Sequence, residues 1–244
     1  YDGMPILEID KALIISARTL VEQDPNYTYA TARFLLRTLY TEALDFLELP
    51  TAVYTNNHAG VYHHYFQHYI KRGVALELLD PQLRSFDLEK LGKALLPERD
   101  QQFTYLSLQT LYDRYFLHAD DVRFELPQAF FMRIAMGLAQ QESNKEDRAI
   151  EFYQLLSSFD YMASTPTLFN AGTLRPQLSS CFLTTVADDL DQIYSAIKDN
   201  ALLSKFAGGL GNDWTPVRAM GARIKGTNGK SLGVVPFLNV ANAS

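Results

Sequence analysis

One cysteine, Cys181, is the residue of this chain best suited to redox chemistry. It lies in an apolar run, residues 178–186, whose length and β-branched ending are typical of a buried strand. A thiol can supply electrons by forming a disulfide, and nearby hydroxyls could hold a polar substrate beside it. Four such hydroxyls stand close to the strand in sequence: Thr165, Thr167, Ser179 and Ser180. We therefore interpret Cys181 as a redox cysteine on a buried strand. The plainer alternative is a small core residue, since free cysteine is often buried.

The glycine-rich segment 201–233 is the second stretch suited to chemistry. It holds seven glycines and a local charge of +4, inside a chain whose net charge is −6. Its basic residues, set against the single acid Asp213, are Lys205, Arg218, Arg223, Lys225 and Lys230. Glycine lets backbone N–H groups approach an anion, and lysine and arginine bind phosphate directly. A phosphate-bearing ligand is the predicted partner. Neither a P-loop nor the GxGxxG spacing is present, however, and a solvated loop pair would have the same composition.

A strand, a helix and the glycine-rich loop must position these groups. Thr165 and Pro166 interrupt the preceding helical pattern, because proline disfavours the helical conformation at the residue before it. Asp188 and Asp189 form an N-terminal signal for a helix over residues 190–206. The apolar stripe of this helix consists of Ile193, Ile197, Ala201 and Leu202. Residues 164–244 are therefore predicted to begin an α/β fold.

Residues 1–163 are predicted to form an α-rich domain with a small hairpin. The first helix would have Asp10 as its N-cap, and the second would cover residues 27–49 with one apolar face. Further helices are expected after Ser85 and Asp87, over 103–112, from Pro127, and over 149–161. Alternating residues around positions 118–121 predict the hairpin. Nothing in this region demands a chemical role, so a helical scaffold is favoured.

Histidines and aromatic residues gather between positions 50 and 77. His64 and His68 are four residues apart, so on a helix they would share a face as two metal ligands do. The HExxH pattern would need a glutamate where Tyr65 stands, and the nearby sequence shows no third ligand. Packed or half-exposed histidines are therefore favoured over a metal site, and we predict no metal.

Composition limits the class of protein. A chain of 244 residues, 47% of them hydrophobic, has ample material for a buried core. The negative charge argues against a general nucleic-acid surface, and no apolar run approaches the roughly 20 residues that cross a bilayer. A single cysteine excludes an internal disulfide and fits a reducing cytoplasm. The chain starts at tyrosine without a signal peptide or basic transit segment, and we expect it to be a piece of a longer protein.

Six segments together resemble the large (alpha) subunit of class I ribonucleotide reductase. They occur in that family's order: STPTLFNAGT at 164–173, RPQLSSCFL at 175–183, DDLDQIY at 188–194, SKFAGGLG at 204–211, VRAMG at 217–221 and IKGTNG at 224–229. The resemblance implies that residues 1–163 are the helical N-terminal domain. It also implies that residues 164–244 are the first elements of a ten-stranded α/β barrel, which is incomplete in this chain.

The resemblance assigns roles near the cysteine. Cys181 matches the cysteine on the first barrel strand, which supplies reducing equivalents and forms a disulfide with a second cysteine as the ribose 2′-hydroxyl leaves. Thr165, Ser180 and the amide of Cys181 match contacts to the substrate diphosphate and ribose. Gly209 matches a backbone contact at the same site.

The resemblance also implies a site that binds a deoxynucleoside triphosphate or ATP as specificity effector. The residues that fall in it are Asp188, Leu190, Lys205, Arg218, Lys225 and Gly226. In the family the helix over residues 190–206 packs against its copy in a second subunit, so a homodimer is expected. The local charge of +4 would then serve an effector at the dimer interface.

The implied activity is reduction of ribonucleoside diphosphates to deoxyribonucleoside diphosphates. The radical would come from a small (beta) subunit, and thioredoxin or glutaredoxin would be the reductant. The chain itself would bind no cofactor, nucleic acid or membrane. The second cysteine, the radical-bearing cysteine and the acid–base residues would lie in a C-terminal remainder, so this chain would hold half the substrate site. The alternatives are a non-catalytic nucleotide-binding regulatory module and a helical interaction protein with a solvated basic loop.

Overall fold

The computed structural model describes residues 3, 5–50, 58–205 and 208–244. These divide into two compact units. The first comprises Tyr1–Ala163 with Leu168–Pro176, and the second comprises Ser164–Thr167 with Gln177–Ser244. The first unit is helical, and the second contains a short parallel sheet with helices.

Helices dominate the first unit, as its sequence predicts. They are α1 (Ile6–Thr19), α2 (Tyr27–Phe46), α3 (His58–Ala75), α4 (Leu88–Ala94), α5 (Tyr105–Arg114), α6 (Pro127–Ala139) and α7 (Lys145–Ser157). Single 3-10 turns cover Pro81–Ser85 and Pro97–Gln102. A short helix, α8 (Thr165–Asn170), contains residues of both units. The predicted break at Thr165 and Pro166 is thus the first turn of α8, where proline needs no N–H partner.

The start of α1 differs from the prediction. Asp10 is not an N-cap, because α1 begins four residues earlier, directly after Pro5. Asp10 lies inside the helix, is buried, and its carboxylate pairs with Arg37 of α2. An aspartate followed by an apolar stripe gives the same sequence signal whether it caps a helix or forms a buried ion pair. The N-cap prediction is therefore wrong.

The centre of the first unit is α6, which is apolar nearly all round. Eleven of its thirteen residues are buried, as is typical of a helix enclosed by its neighbours. Its one charged side chain, Arg133, pairs with buried Glu125 at 2.7 Å. Arg133 also donates to the carbonyls of Ala171 (2.6 Å) and Leu168 (3.1 Å). The buried guanidinium therefore fixes the end of α8 to the helical core.

A second buried polar group lies beside α6. Asp100 accepts hydrogen bonds from Tyr40 Oη at 2.5 Å, Tyr62 Oη at 2.8 Å and Gln128 Nε2 at 2.7 Å. Tyr153 in turn donates to Gln128 Oε1 at 2.7 Å. Because these polar atoms bond to one another, the tyrosines can be buried without leaving their hydroxyls unpaired.

The predicted hairpin is confirmed and is small. Strands β1 (His118–Ala119) and β2 (Val122–Arg123) pair antiparallel, and Asp120 and Asp121 turn between them with φ of 49° and 63°. Two successive residues at positive φ are typical of the tight turns that suit hairpin twist. The predicted cap of α4 is also present, since the Asp87 carboxylate accepts from the Lys90 N–H at 2.9 Å.

The second unit contains a strand–helix–strand arrangement. Strand β3 (Cys181–Thr185) leads into α9 (Leu190–Ser204), which returns to β4 (Gly209–Asp213), and α10 (Val235–Ala243) follows. The two strands are parallel, with Cys181 opposite Gly209 and Thr185 opposite Asp213. One side of α9 contributes Ile193, Ala196 and Ile197 to a small apolar cluster that also contains Val186. The residues packed against this cluster are Trp214, Val217, Phe237 and Ala241.

Strand β3 and helix α9 are less buried than their sequences predict. Strand β3 is shorter than residues 178–186, and it is exposed where we expected a buried strand: Leu183 is 88% exposed. In α9, Ala201 and Leu202 are exposed although Ile193 and Ile197 are buried. Within the described residues β3 pairs with β4 alone, and an apolar strand is buried only where other elements cover its faces. The predicted helix end at Phe206 lies outside the described residues, as do positions 51–57 of the histidine-rich region.

Candidate functional site

Cys181 is the first residue of β3 and its side chain is exposed. Gly209 begins the neighbouring strand directly opposite it, and the Gly209 N–H donates to the Ser180 carbonyl at 2.7 Å. A Cβ atom at position 209 would lie 3.3 Å from that carbonyl oxygen and 3.7 Å from the Cys181 sulfur. Glycine therefore leaves open space above the thiol that any other residue would fill. The structure brings Ser180, Cys181 and Gly209 together.

Residues with hydroxyl side chains lie in the turn before β3 and on α8. The turn before β3 is fixed by Gln177, whose side chain accepts from the Ser179 N–H at 2.5 Å and donates to the Ser179 carbonyl at 3.0 Å. Ser180, next along the chain, is exposed. Thr167 of α8 donates to the Leu178 carbonyl at 3.4 Å, so α8 contacts the entry to the strand. Thr165 is exposed at the start of α8.

The N-terminus of α9 forms a second polar site. Asp189 caps the helix, as predicted, by accepting from the Gln192 N–H at 3.1 Å. The preceding residue, Asp188, pairs with Arg218 through Nε at 2.8 and 2.9 Å, and accepts from the Arg218 backbone N–H at 3.1 Å. These hydrogen bonds from Arg218 lower the pKa of Asp188 and raise the pKa of Arg218. Both groups are thus held charged.

A cleft of about 290 Å³ lies beside this ion pair, and we call it the α9 cleft. Its lining consists of Asp188, Asp189, Leu190, Ile193, Val217, Arg218, Ile224, Ser231 and Phe237. Three of the predicted effector residues, Asp188, Leu190 and Arg218, therefore share one cavity. The other three, Lys205, Lys225 and Gly226, lie outside its lining.

Those three residues lie outside the cleft, one at the C-terminal end of α9 and two in the loop that follows β4. Lys205 directly follows α9, as its C-cap. Lys225 and Gly226 lie in the turn of a loop whose arms are joined by an antiparallel bridge between Arg223 and Lys230. Gly226 has φ of 79° and open space around its Cα, so the turn requires glycine for its backbone conformation.

Several residues of this site were not predicted from the sequence. Phe237 of α10 lines the α9 cleft and packs edge-on against Tyr194 of α9 at 6.4 Å. Asn200 of α9 and Asn212 of β4 exchange two amide hydrogen bonds of 2.7 and 3.2 Å. An asparagine in a half-buried part of a helix is a weak sequence signal for this pair of hydrogen bonds, because its partner is known only from the folded structure.

The histidine pair shows no metal-binding arrangement. The rings of His64 and His68 are 4.9 Å apart, and His68 Nδ1 donates to the His64 carbonyl at 2.9 Å. Across the described part of the chain, no group of three or more histidine, cysteine, aspartate or glutamate side chains could hold a metal ion. None of the helices described is both long and apolar enough to span a membrane.

Two family models match the chain in succession. The ribonucleotide reductase all-alpha domain matches residues 101–176, and the ribonucleotide reductase barrel domain matches residues 179–244. The ribonucleoside-diphosphate reductase subunit alpha of Chlamydia muridarum is 50% identical over 243 residues, and that of Helicobacter pylori is 41% identical over 245. The large subunit of Monkeypox virus is 35% identical over 246 residues.

Each of these alignments covers 99% of the chain. The chain spans only 23–30% of the length of these curated relatives. The helical unit and the strand–helix–strand unit that follows it occur in the same order as the two matched domain models. The chain belongs to the ribonucleotide reductase large-subunit family, and comprises its helical domain and the start of its barrel domain. The expected fold class is therefore confirmed.

Proposed function

We propose that this chain carries half of the substrate site and the effector site of a ribonucleoside-diphosphate reductase. The observation that carries the proposal is the exposed thiol of Cys181 beside Gly209 in the parallel register of β3 and β4. An exposed thiol next to a residue without a side chain can be approached by a substrate ring and by a second sulfur.

In this proposal Cys181 acts as one half of a dithiol. The substrate loses its ribose 2′-hydroxyl as water and gains a hydrogen at that carbon. Cys181 and a second cysteine of the C-terminal remainder together give up two electrons and two protons and form a disulfide. A radical generated by the small (beta) subunit starts the reaction, and thioredoxin or glutaredoxin reduces the disulfide afterwards.

The substrate diphosphate and ribose would be held by short polar groups. Ser180 and Thr165 are both exposed and offer hydroxyl donors, while the Cys181 amide and the Gly209 backbone offer close approach. The lack of a Cβ at Gly209 supports this arrangement, because a side chain there would cover the thiol.

The α9 cleft supports an effector site for a deoxynucleoside triphosphate or ATP. Its volume of about 290 Å³ is close to the lower end of the range for small-molecule pockets. Asp188, Leu190 and Arg218 line it. We propose that Lys225 and Gly226, which follow the lining residue Ile224, and Lys205, at the other end of α9, contribute to the bound state. Arginine and lysine suit a triphosphate, and glycine at a turn lets the backbone approach it.

A homodimer through α9 belongs to the same proposal. Three large apolar side chains of α9 are exposed: Leu190 by 62%, Tyr194 by 49% and Leu202 by 55%. Exposed large apolar side chains on a helix favour packing against a partner. The effector cleft at the N-terminus of α9 would then lie near the subunit interface.

The test is turnover by the full-length protein with its small subunit and a dithiol reductant. We expect Cys181→Ser to abolish repeated formation of deoxyribonucleoside diphosphate while binding of deoxynucleoside triphosphate is retained. The matched control is Ser179→Ala, which changes an exposed neighbour without touching the thiol. Turnover by Cys181→Ser at the wild-type rate would exclude the assigned role. Intact triphosphate binding by a wild-type protein that has no turnover would favour the regulatory module.

A further inference from the structure

Helix α8 is too short to fix its own orientation. It begins with Thr165, one of the hydroxyl-bearing residues proposed to bind the substrate, and it ends at Asn170. Isolated helices of fewer than about 12 residues are marginal in water, so the orientation of this one depends on its contacts with the rest of the chain. The contacts of its last turn therefore help to decide where Thr165 lies.

Arg133 of α6 holds the last turn of α8 with a buried guanidinium. Nη1 donates to the Ala171 carbonyl at 2.6 Å, and Nη2 donates to the Leu168 carbonyl at 3.1 Å. Nε donates to the Glu125 carboxylate at 2.7 Å, and both charged side chains are fully buried. Since Glu125 balances the charge, the two Nη atoms can serve the carbonyls of α8 and of the residue that follows it. Hydrogen bonds from a charged donor are stronger than those between neutral groups.

Two glycines allow the backbone after α8 to lie directly on α6. A Cβ atom at Gly137 would lie 2.2 Å from the Gly172 nitrogen, and one at Gly172 would lie 2.8 Å from the Arg133 carbonyl oxygen. Gly172 has φ of 74°, in the left-handed region that favours glycine, and its carbonyl accepts from the Asp80 N–H at 3.0 Å. This close packing leaves no room for a side chain on either glycine, and it fixes the segment at a second point.

We infer that Arg133 is a positioning residue for substrate binding, and that it acts through α8 on Thr165. This inference rests on the proposed substrate role of Thr165. The turn that Arg133 holds and the turn that carries Thr165 belong to one helix, so a shift of the last turn displaces the first. Arg133 itself is enclosed in the helical core and acts only through the backbone that it holds.

Loss of this positioning should change KM rather than kcat. The substrate diphosphate is remote from the ribose carbon that reacts, so a contact to it stabilises the bound substrate and the transition state about equally. Removing such uniform binding raises KM and leaves kcat unchanged. A general loss of stability would instead reduce the amount of active enzyme, and with it the apparent kcat, while KM stayed the same.

The experiment is steady-state reduction of cytidine diphosphate by the full-length protein with its small subunit and a dithiol reductant. We expect Arg133→Lys to raise KM about three- to tenfold, as for one weakened hydrogen bond, with little change in kcat. Lysine keeps the charge beside Glu125 but has a single nitrogen, which cannot replace all three nitrogens of the guanidinium. Arg99→Lys is the matched control and should leave KM unchanged, because Arg99 donates to the Gln154 carbonyl near the end of α7, away from α8.

Gly137→Ala tests the same segment without changing the ion pair. Its methyl group would displace the backbone at Gly172, whereas alanine favours the helix more than glycine does. KM should therefore rise again, with little change in kcat. Gly92→Ala is the control within a helix, since its Cβ would lie 3.5 Å from the nearest atom, the His63 carbonyl oxygen, at ordinary contact distance.

A double variant separates the positioning role from the function on which it rests. If Arg133 acts through Thr165, Arg133→Lys combined with Thr165→Ala should raise KM no further than Thr165→Ala alone. Multiplied effects in the double variant, or a wild-type KM for Arg133→Lys or Gly137→Ala, would overturn the positioning role alone. A wild-type KM for Thr165→Ala would overturn the proposed substrate role of Thr165 and the inference with it.

Discussion

Gly209 faces Cys181 across the β3–β4 register, and a Cβ atom at position 209 would stand 3.7 Å from the thiol sulfur. The two residues are 28 positions apart in sequence and are brought together by the return of the chain through α9. The thiol is exposed, and the residue opposite it has no side chain to cover it.

Gly209→Val should protect Cys181 from alkylation. The branched side chain would extend from a Cβ already 3.7 Å from the sulfur, so iodoacetamide should react with Cys181 severalfold more slowly. The rate can be followed by mass spectrometry. Gly211→Ala is the matched control on the same strand: its Cβ meets only Leu183, whose exposed side chain can rotate away, so the rate should stay at the wild-type value. Equal rates for Gly209→Val and wild type would show that position 209 does not govern access.

The buried ion pair of the helical unit should dominate its response to mutation. Glu125 accepts from Arg133 at 2.7 Å, from Tyr69 at 2.5 Å and from the Leu117 N–H at 2.9 Å. Glu125→Leu leaves the Arg133 charge uncompensated in the core, and the free energy of unfolding should fall by about 3–5 kcal/mol. Urea denaturation followed by circular dichroism measures the loss.

A surface pair provides the comparison for that loss. Glu89 and Lys93 form an exposed i,i+4 pair at 2.6 Å, so Glu89→Gln should leave the urea midpoint unchanged within error. A similar small effect for Glu125→Leu would mean that water reaches Arg133 after the substitution. The full set of buried contacts to Glu125 argues against that result.

Asp100 should make stability fall as pH rises. Burial raises the pKa of Asp100 from an ordinary 3.8 to about 6, although hydrogen bonds from Tyr40, Gln128 and Tyr62 favour the charged form. Between these two values the folded protein binds a proton that the unfolded chain has released. Raising the pH removes this proton at the expense of the folded state, and the contribution amounts to at most about 3 kcal/mol.

The measurement is the urea midpoint across the range from about pH 4 to about pH 7. Wild type should lose stability over this range relative to Asp100→Asn, in which the titrating group is absent. Asp113→Asn is the control, because that carboxylate is exposed and accepts from the side chain of Gln109. Parallel curves for wild type and Asp100→Asn would show that Asp100 stays charged, held by its three donors.

Local patterns predicted which regions are helical, although α7 begins at Lys145 and ends at Ser157, four residues before the predicted bounds of 149 and 161. The apolar stripe of α2, the proline that opens α6 and the aspartate that caps α9 are each set by residues within one or two turns of one another. Asp10 was misread because a carboxylate near a helix start can serve either a cap or an ion pair. Its partner Arg37 lies 27 residues away, and only packing of α1 on α2 brings them together.

The two candidate sites could be predicted only in part, because some of their residues are distant in sequence and meet only when the chain packs. The resemblance placed Cys181, Asp188 and Arg218 in two polar sites, and the structure shows which residues contact each of them. The contributions of Ser231 and Phe237 to the α9 cleft depend on how the last loop and α10 fold back, which no short-range pattern encodes. The exposure of β3 likewise depends on which elements cover it, and an apolar run signals only that covering is favourable.

The exposed face of α9 should control self-association. Leu202 is 55% exposed in the described structure, so Leu202→Glu should change the melting temperature little. In the full-length protein it would place a carboxylate in the proposed helix-to-helix contact, and sedimentation velocity should show a shift from dimer toward monomer. Leu106→Glu is the control, since Leu106 is 74% exposed on α5 and lies outside the proposed interface. A dimer that persists in Leu202→Glu, or dissociates equally in Leu106→Glu, would place the subunit contact elsewhere.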